Sequence, residues 1–139
     1  MTPYADMSEL ERCQMLAEFA GYPFAGDNKA FNRAIDKSPD TYRCGPNAIG
    51  DCILVWRGPD YSGPLSIWNP FKDANALEEV EAAILKIPLK LQITLHSDGG
   101  AFVEVREPEF AEETSVIWYS DTKADALAQV VHTLMERKG

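Results

Sequence analysis

Leu89-Lys90-Leu91-Gln92-Ile93-Thr94-Leu95-His96-Ser97-Asp98-Gly99-Gly100-Ala101-Phe102-Val103-Glu104-Val105-Arg106 is the stretch whose periodicity decides the fold class. Leu89, Leu91, Ile93 and Leu95 alternate with Lys90, Gln92, Thr94 and His96, the two-residue period of a strand with one buried face. Asp98-Gly99-Gly100 supplies residues that accept the positive backbone angles of a tight turn. The alternation then resumes with Ala101, Val103 and Val105 against Phe102, Glu104 and Arg106. These segments predict a hairpin. Val116-Ile117-Trp118-Tyr119 adds a third strand, and Pro108 interrupts continued pairing in between, so the order of a meander is expected.

Outward from this hairpin the period changes to that of helices. Asp73 is placed to cap a helix whose apolar positions are Leu77, Val80, Ala83, Ile84 and Ile87, ending before Pro88. After the third strand, Asp121 or Thr122 caps a last helix with an apolar stripe of Ala124, Leu127, Ala128, Val131, Leu134 and Met135, a face that needs a sheet to cover it. Near the start, Ser8 and Glu11 match a capping box, Leu10, Cys13, Leu16, Ala17 and Ala20 share one face, and Gly21 stops the helix. Residues 24–50 read as a long ordered loop with at most one short helix around Ala30, Phe31, Ala34 and Ile35. Ile53-Leu54-Val55-Trp56 and the stretch from Leu65 to Trp68, each bordered by Gly-Pro, read as an edge strand or packed loop. The expected architecture is α+β: an antiparallel three- or four-stranded sheet flanked by helices, α/β/α sandwich-like. One domain over residues 1–139 is expected, with a loop-rich segment at about 22–72.

Composition narrows the function classes. The 139 residues carry 22 acidic and 13 basic side chains for a net charge of -9, which disfavours a nucleic acid or an anionic membrane as partner. Cys13, Cys44 and Cys52 are odd in number without CxxC spacing, so neither a disulfide framework nor zinc is expected, and a reducing cytoplasm fits best. No apolar run approaches the length of a membrane span, and the acidic N-terminus lacks a signal-peptide pattern.

No constellation argues strongly for catalysis. His96-Ser97-Asp98 contains the residue types of a triad, but consecutive residues at a strand end point their side chains apart. His132 reads as a surface or interface residue of the last helix. Asp98-Gly99-Gly100 links two strands, whereas phosphate cradles open a helix. Glu107, Glu109, Glu112 and Glu113 crowd four acids into seven residues, without the Gly and alternating acids of a calcium loop. They read as a solvated loop or as a contact surface for a basic protein. Trp56, Tyr61, Trp68 and Phe71 concentrate aromatics in the Gly/Pro-rich segment, where they either anchor the loop or fill a partner's pocket.

Trp68-Asn69-Pro70-Phe71 runs through Asp73-Ala74-Asn75 into Leu77-Glu78-Glu79-Val80-Glu81, and the chain closes with Thr122-Lys123-Ala124-Asp125-Ala126-Leu127. Together with Leu16-Ala17-Glu18-Phe19-Ala20-Gly21-Tyr22, this pattern resembles the phage ABA sandwich domain family of small bacteriophage proteins. The resemblance implies helices on both sides of a sheet and a phage or prophage origin, and it brings no catalytic residues; residues 27–51 depart from the family's pattern. From it follows the expectation of an accessory protein in the cytoplasm of a bacterial host, binding a host protein and inhibiting a defence system. The residues expected to make the contact are Glu107, Glu109, Glu112, Glu113, Trp56, Tyr61 and Trp68. No cofactor and no metal are expected. The alternatives are a small-molecule binder or hydrolase with an intersubunit pocket involving His96, Asp98 and Tyr119, and a structural role in phage assembly.

Overall fold

The computed structural model describes residues 2–61, 64–86, 90–95, 101–106, 116–120 and 122–138. A 3-10 turn, Tyr4–Asp6, precedes α1 (Glu9–Phe19) and α2 (Asn28–Lys37). Then come β1 (Arg43–Pro46), β2 (Ile53–Trp56), β3 (Leu65–Ile67) and α3 (Ala74–Leu85). The chain ends in β4 (Lys90–Leu95), β5 (Ala101–Arg106), β6 (Val116–Ser120) and α4 (Lys123–Lys138).

Local sequence sets the helix starts. Ser8 Oγ accepts from the Glu11 amide at 3.1 Å while Glu11 Oε1 accepts from the Ser8 amide at 3.4 Å, closing the capping box. Asp27, Asp73 and Thr122 likewise accept from the amides of Ala30, Asn75 and Asp125. Gly21 follows α1 with a φ of 107°, a left-handed angle that glycine adopts without a Cβ clash.

β4, β5 and β6 form the antiparallel meander that their alternation predicts, with Leu95 opposite Ala101, Lys90 opposite Arg106 and Phe102 opposite Tyr119. The fold is α+β, with helices laid on this sheet. The turn residues 98–100 lie outside the described residues.

The first half differs from its sequence reading. β1, β2 and β3 form a second antiparallel sheet where an edge strand or packed loop was expected, and the short helix expected within residues 24–50 is α2, ten residues long. Prolines concealed this sheet, because each one stands where no ladder donor is needed. Pro46 ends an edge strand, and Pro64 offers its carbonyl to the Arg57 amide at 2.8 Å. On the far side of β1, the Cys44 amide donates to Pro23 and the Cys44 carbonyl accepts from the Ala25 amide, both at 2.9 Å.

Register divides this sheet into two faces. Cys44, Ile53 and Val55 point inward and are buried with Cys13 and Leu16 of α1. Gly45, Leu54, Trp56, Leu65 and Ile67 point outward, and α2 covers only the β1 side of that face. Phe31 of α2 is fully buried directly on Gly45, where an added Cβ would come within 2.9 Å of the ring. α1 contacts β1 and β2 as well as α3 and α4, and α4 in turn contacts β5 and β6. Ala126, Leu127, Ala128, Val130 and Val131 are consequently buried on nearly all sides of α4, well beyond a single stripe.

Gly45→Ala is expected to lower unfolding free energy by about 1–3 kcal/mol through overpacking against Phe31. Urea denaturation checks this, and in a double-mutant cycle the penalty should shrink once Phe31→Ala has removed the ring.

Candidate functional site

The seam between the first sheet and α3 is closed by one carboxylate. Glu79, on α3, accepts at Oε1 from the Tyr22 hydroxyl at 3.0 Å and from Arg57 at 3.2 Å, and at Oε2 from the Trp68 indole. Arg57 follows β2 and also donates through Nε to the Tyr22 hydroxyl at 3.0 Å and to Ser66 Oγ at 2.6 Å. Its guanidinium lies 5.6 Å from the Tyr22 ring centroid and 5.7 Å from that of Tyr61. Tyr42 stacks on the other side of the cluster, its ring 6.0 Å from Tyr22 and inclined by 18°.

Burial pushes the Tyr22 phenol up to about 12, and the negative charge of Glu79 adds to the effect. The neutral phenol is thereby kept as a donor to Glu79. The ion pair between Arg57 and Glu79 leaves the junction without net charge, and every polar group in it serves another.

Beside this junction opens a cleft of about 420 Å³ whose lining includes Tyr42, Tyr61, Asp40, Asp60 and Arg57. On the outer face of β2 and β3, half-buried Leu54 and Trp56 lie beside exposed Leu65 and Ile67 in one apolar stripe.

The aromatic residues singled out in the sequence part company here. Tyr61 is 54% exposed on the cleft wall. Trp56 is half-buried on the outer face, its indole donating to the Pro39 carbonyl at 2.7 Å. Trp68 is 1% exposed, so its ring belongs to the interior and presents nothing to a partner. Phe71 packs partly buried against the core. Glu107, Glu109, Glu112 and Glu113 lie outside the described residues, as do His96 and Asp98. Tyr119 enters β6 through its pairing with Phe102.

His132 is a correction. It is buried, with Nε2 2.7 Å from the Thr2 carbonyl and Nδ1 2.9 Å from Glu136, and its ring meets Tyr4 edge-on. It fastens the N-terminal segment to α4, together with the Tyr4 hydroxyl, which donates to Asp125. Cys13 and Cys44 are buried thiols pushed up to about 12 by burial, which makes them inert as nucleophiles. Among the described residues no group of three His, Cys, Asp or Glu side chains is arranged to hold a metal, and no helix is long and apolar enough to cross a membrane.

No family model, curated relative or solved structure matches the chain. Its site is legible only through its own chemistry.

Tyr22, Tyr42, Arg57, Glu79, Leu65 and Ile67 were not singled out in the sequence. Leu65-Ser66-Ile67 carries a faint signal, since its alternation puts the apolar residues on one side, but nothing in three residues says that this side is the outer one. Glu79 directly precedes Val80 of the helix's apolar positions, a carboxylate beside a buried face that calls for donors.

Glu79→Gln is expected to destabilise the fold by about 1–3 kcal/mol, because Arg57 then loses its counter-charge in a half-buried site. Tyr22 makes a pH-dependent contribution as well. Its folded value lies above the ordinary 10, so its share of stability is complete below about pH 10 and is lost as pH rises towards 12. Denaturant midpoints between pH 8 and pH 12 should fall less steeply for Tyr22→Phe than for the parent protein.

Proposed function

We propose that this protein acts by binding rather than by catalysis, and that its partner is a protein with a basic surface. The observation that carries the proposal is the open half of the first sheet's outer face. Leu65 and Ile67 are 47% and 65% exposed on β3, beside Leu54 and Trp56, and among the described residues no strand pairs with the other edge of β3. An apolar stripe next to a free strand edge is costly to leave open to water and to other chains, and it is the kind of surface that protein contacts cover.

Charge selects among occupants. A second copy of the chain carries the same net charge of -9 and is repelled, whereas a basic partner is attracted and steered. Catalysis finds little support beside this. The polar junction is closed on itself, and the two most buried cysteines are held as neutral thiols. The setting is part of the proposal and rests on short motifs that resemble those of phage ABA sandwich proteins. In that setting the chain is a phage or prophage accessory protein, its partner is a host protein, and inhibition of a host defence system is the outcome.

The test pairs the parent protein with Leu65→Thr/Ile67→Thr, which keeps strand propensity and net charge while removing exposed apolar surface. Immobilised parent protein should retain a basic protein from bacterial lysate, and the variant should retain at least about tenfold less, as expected when two central apolar contacts are lost. Raising the salt should weaken retention further. Equal retention by the variant, or concentration-dependent self-association of the parent in ultracentrifugation, overturns the proposal.

A further inference from the structure

We infer that the cleft between Tyr42 and Tyr61 is a receptor for the cationic side chain of an arginine or lysine presented by the partner. The inference rests on the binding reading above and adds to it a second, chemically distinct contact. Tyr42 and Tyr61 are 47% and 54% exposed, large values for aromatic rings that are already fixed in place. Each ring spends one face internally, Tyr42 on Tyr22 and Tyr61 on Arg57, and each hydroxyl is without a hydrogen-bond partner among the described residues. A ring face carries negative quadrupolar potential, and one cleft ring, Tyr61, already has the Arg57 guanidinium 5.7 Å from its centroid.

The charge inventory favours a cation. Arg57 in the cleft lining is matched by Glu79 at 3.2 Å and has donors engaged by Tyr22, Ser66 and Glu79. Asp40 and Asp60, both exposed in the cleft lining, have no ion-pair or hydrogen-bond partner among the described residues, so the cleft keeps two uncompensated negative charges. An anion would be repelled by both carboxylates, and the Arg57 charge is already matched by Glu79. A guanidinium or ammonium group is attracted by the carboxylates and by the exposed ring faces, and its aliphatic stem suits the apolar ring surface.

The probes are capped Gly-Arg-Gly, Gly-Lys-Gly and Gly-Gln-Gly peptides and putrescine, titrated into the full chain and followed by amide and tyrosine NMR shifts. The arginine or lysine peptide should shift resonances of residues 40–42 and 57–61 saturably, with a Kd of about 1 mM. Asp40→Asn/Asp60→Asn and Tyr61→Leu should each weaken it by about fivefold or more, since all three positions are exposed and the fold does not depend on them. Asp6→Asn/Asp36→Asn changes net charge equally at exposed sites outside the cleft lining and should leave binding unchanged. Equal weakening by that control, shifts spread over the acidic surface, or equal binding of the glutamine peptide overturns the inference. Putrescine binding as tightly as the peptides also overturns it, by making a free amine the occupant. If the peptides fail while Leu65→Thr/Ile67→Thr still abolishes partner retention, only the cleft assignment falls and the binding reading stands.

Discussion

The carboxylate of Glu79 is the constraint on which the arrangement of the first half depends. Three donors reach it from three separate segments: Tyr22 beyond α1, Arg57 beyond β2 and Trp68 beyond β3. Each contact is charge-assisted, the kind that contributes about 1.5–3 kcal/mol when partly buried. Together they tie a segment of short strands and turns to a helix. Without this acceptor the Trp68 indole would lose its partner and the Arg57 guanidinium would keep only the Tyr22 and Ser66 hydroxyls with no counter-charge, so the carboxylate fixes the angle of the small sheet against α3. The exposed cleft and the open face of β3 inherit their positions from that angle.

The two sheets are stabilised in different ways. The meander of β4, β5 and β6 has five- to six-residue strands and rests on α4, whose alanines and valines are buried almost all round. Small side chains there let α4 lie close to α1 and the sheet at once. The β1–β3 sheet has strands of three or four residues, too short to be stable alone. It depends on Phe31 seated on Gly45 from one side and on the Cys44, Ile53 and Val55 face packed against α1 from the other. Covered only over β1, it leaves its remaining outer face to solvent or to a partner.

Polar groups follow a similar division. Tyr22, Arg57, Ser66, Trp68 and Glu79 satisfy one another, and His132 and Tyr4 are used to hold the N-terminal segment to α4. The described surface leaves open Leu65, Ile67, the rings of Tyr42 and Tyr61, and the carboxylates of Asp40 and Asp60. These are the groups on which the proposed contact with a cationic protein rests.

By itself the sequence determined the elements whose period runs long enough to be read. The alternation from Leu89 to Arg106 gave the hairpin, Val116 onward its third strand, and the capped periodic runs behind Ser8, Asp73 and Thr122 became α1, α3 and α4. These are local preferences reinforced over many residues. Strands of three or four residues broken by Gly-Pro carry too few positions for a period, and β1, β2 and β3 exist as a sheet only because tertiary packing aligns them. The same holds for the candidate site. The sequence marked an aromatic-bearing, Gly/Pro-rich segment, but nothing local distinguishes buried Trp68 from exposed Tyr61, or outward Leu65 from inward Val55. That distinction is decided by which side of the small sheet α1 occupies and by where Glu79 anchors it, contacts between residues far apart in the chain.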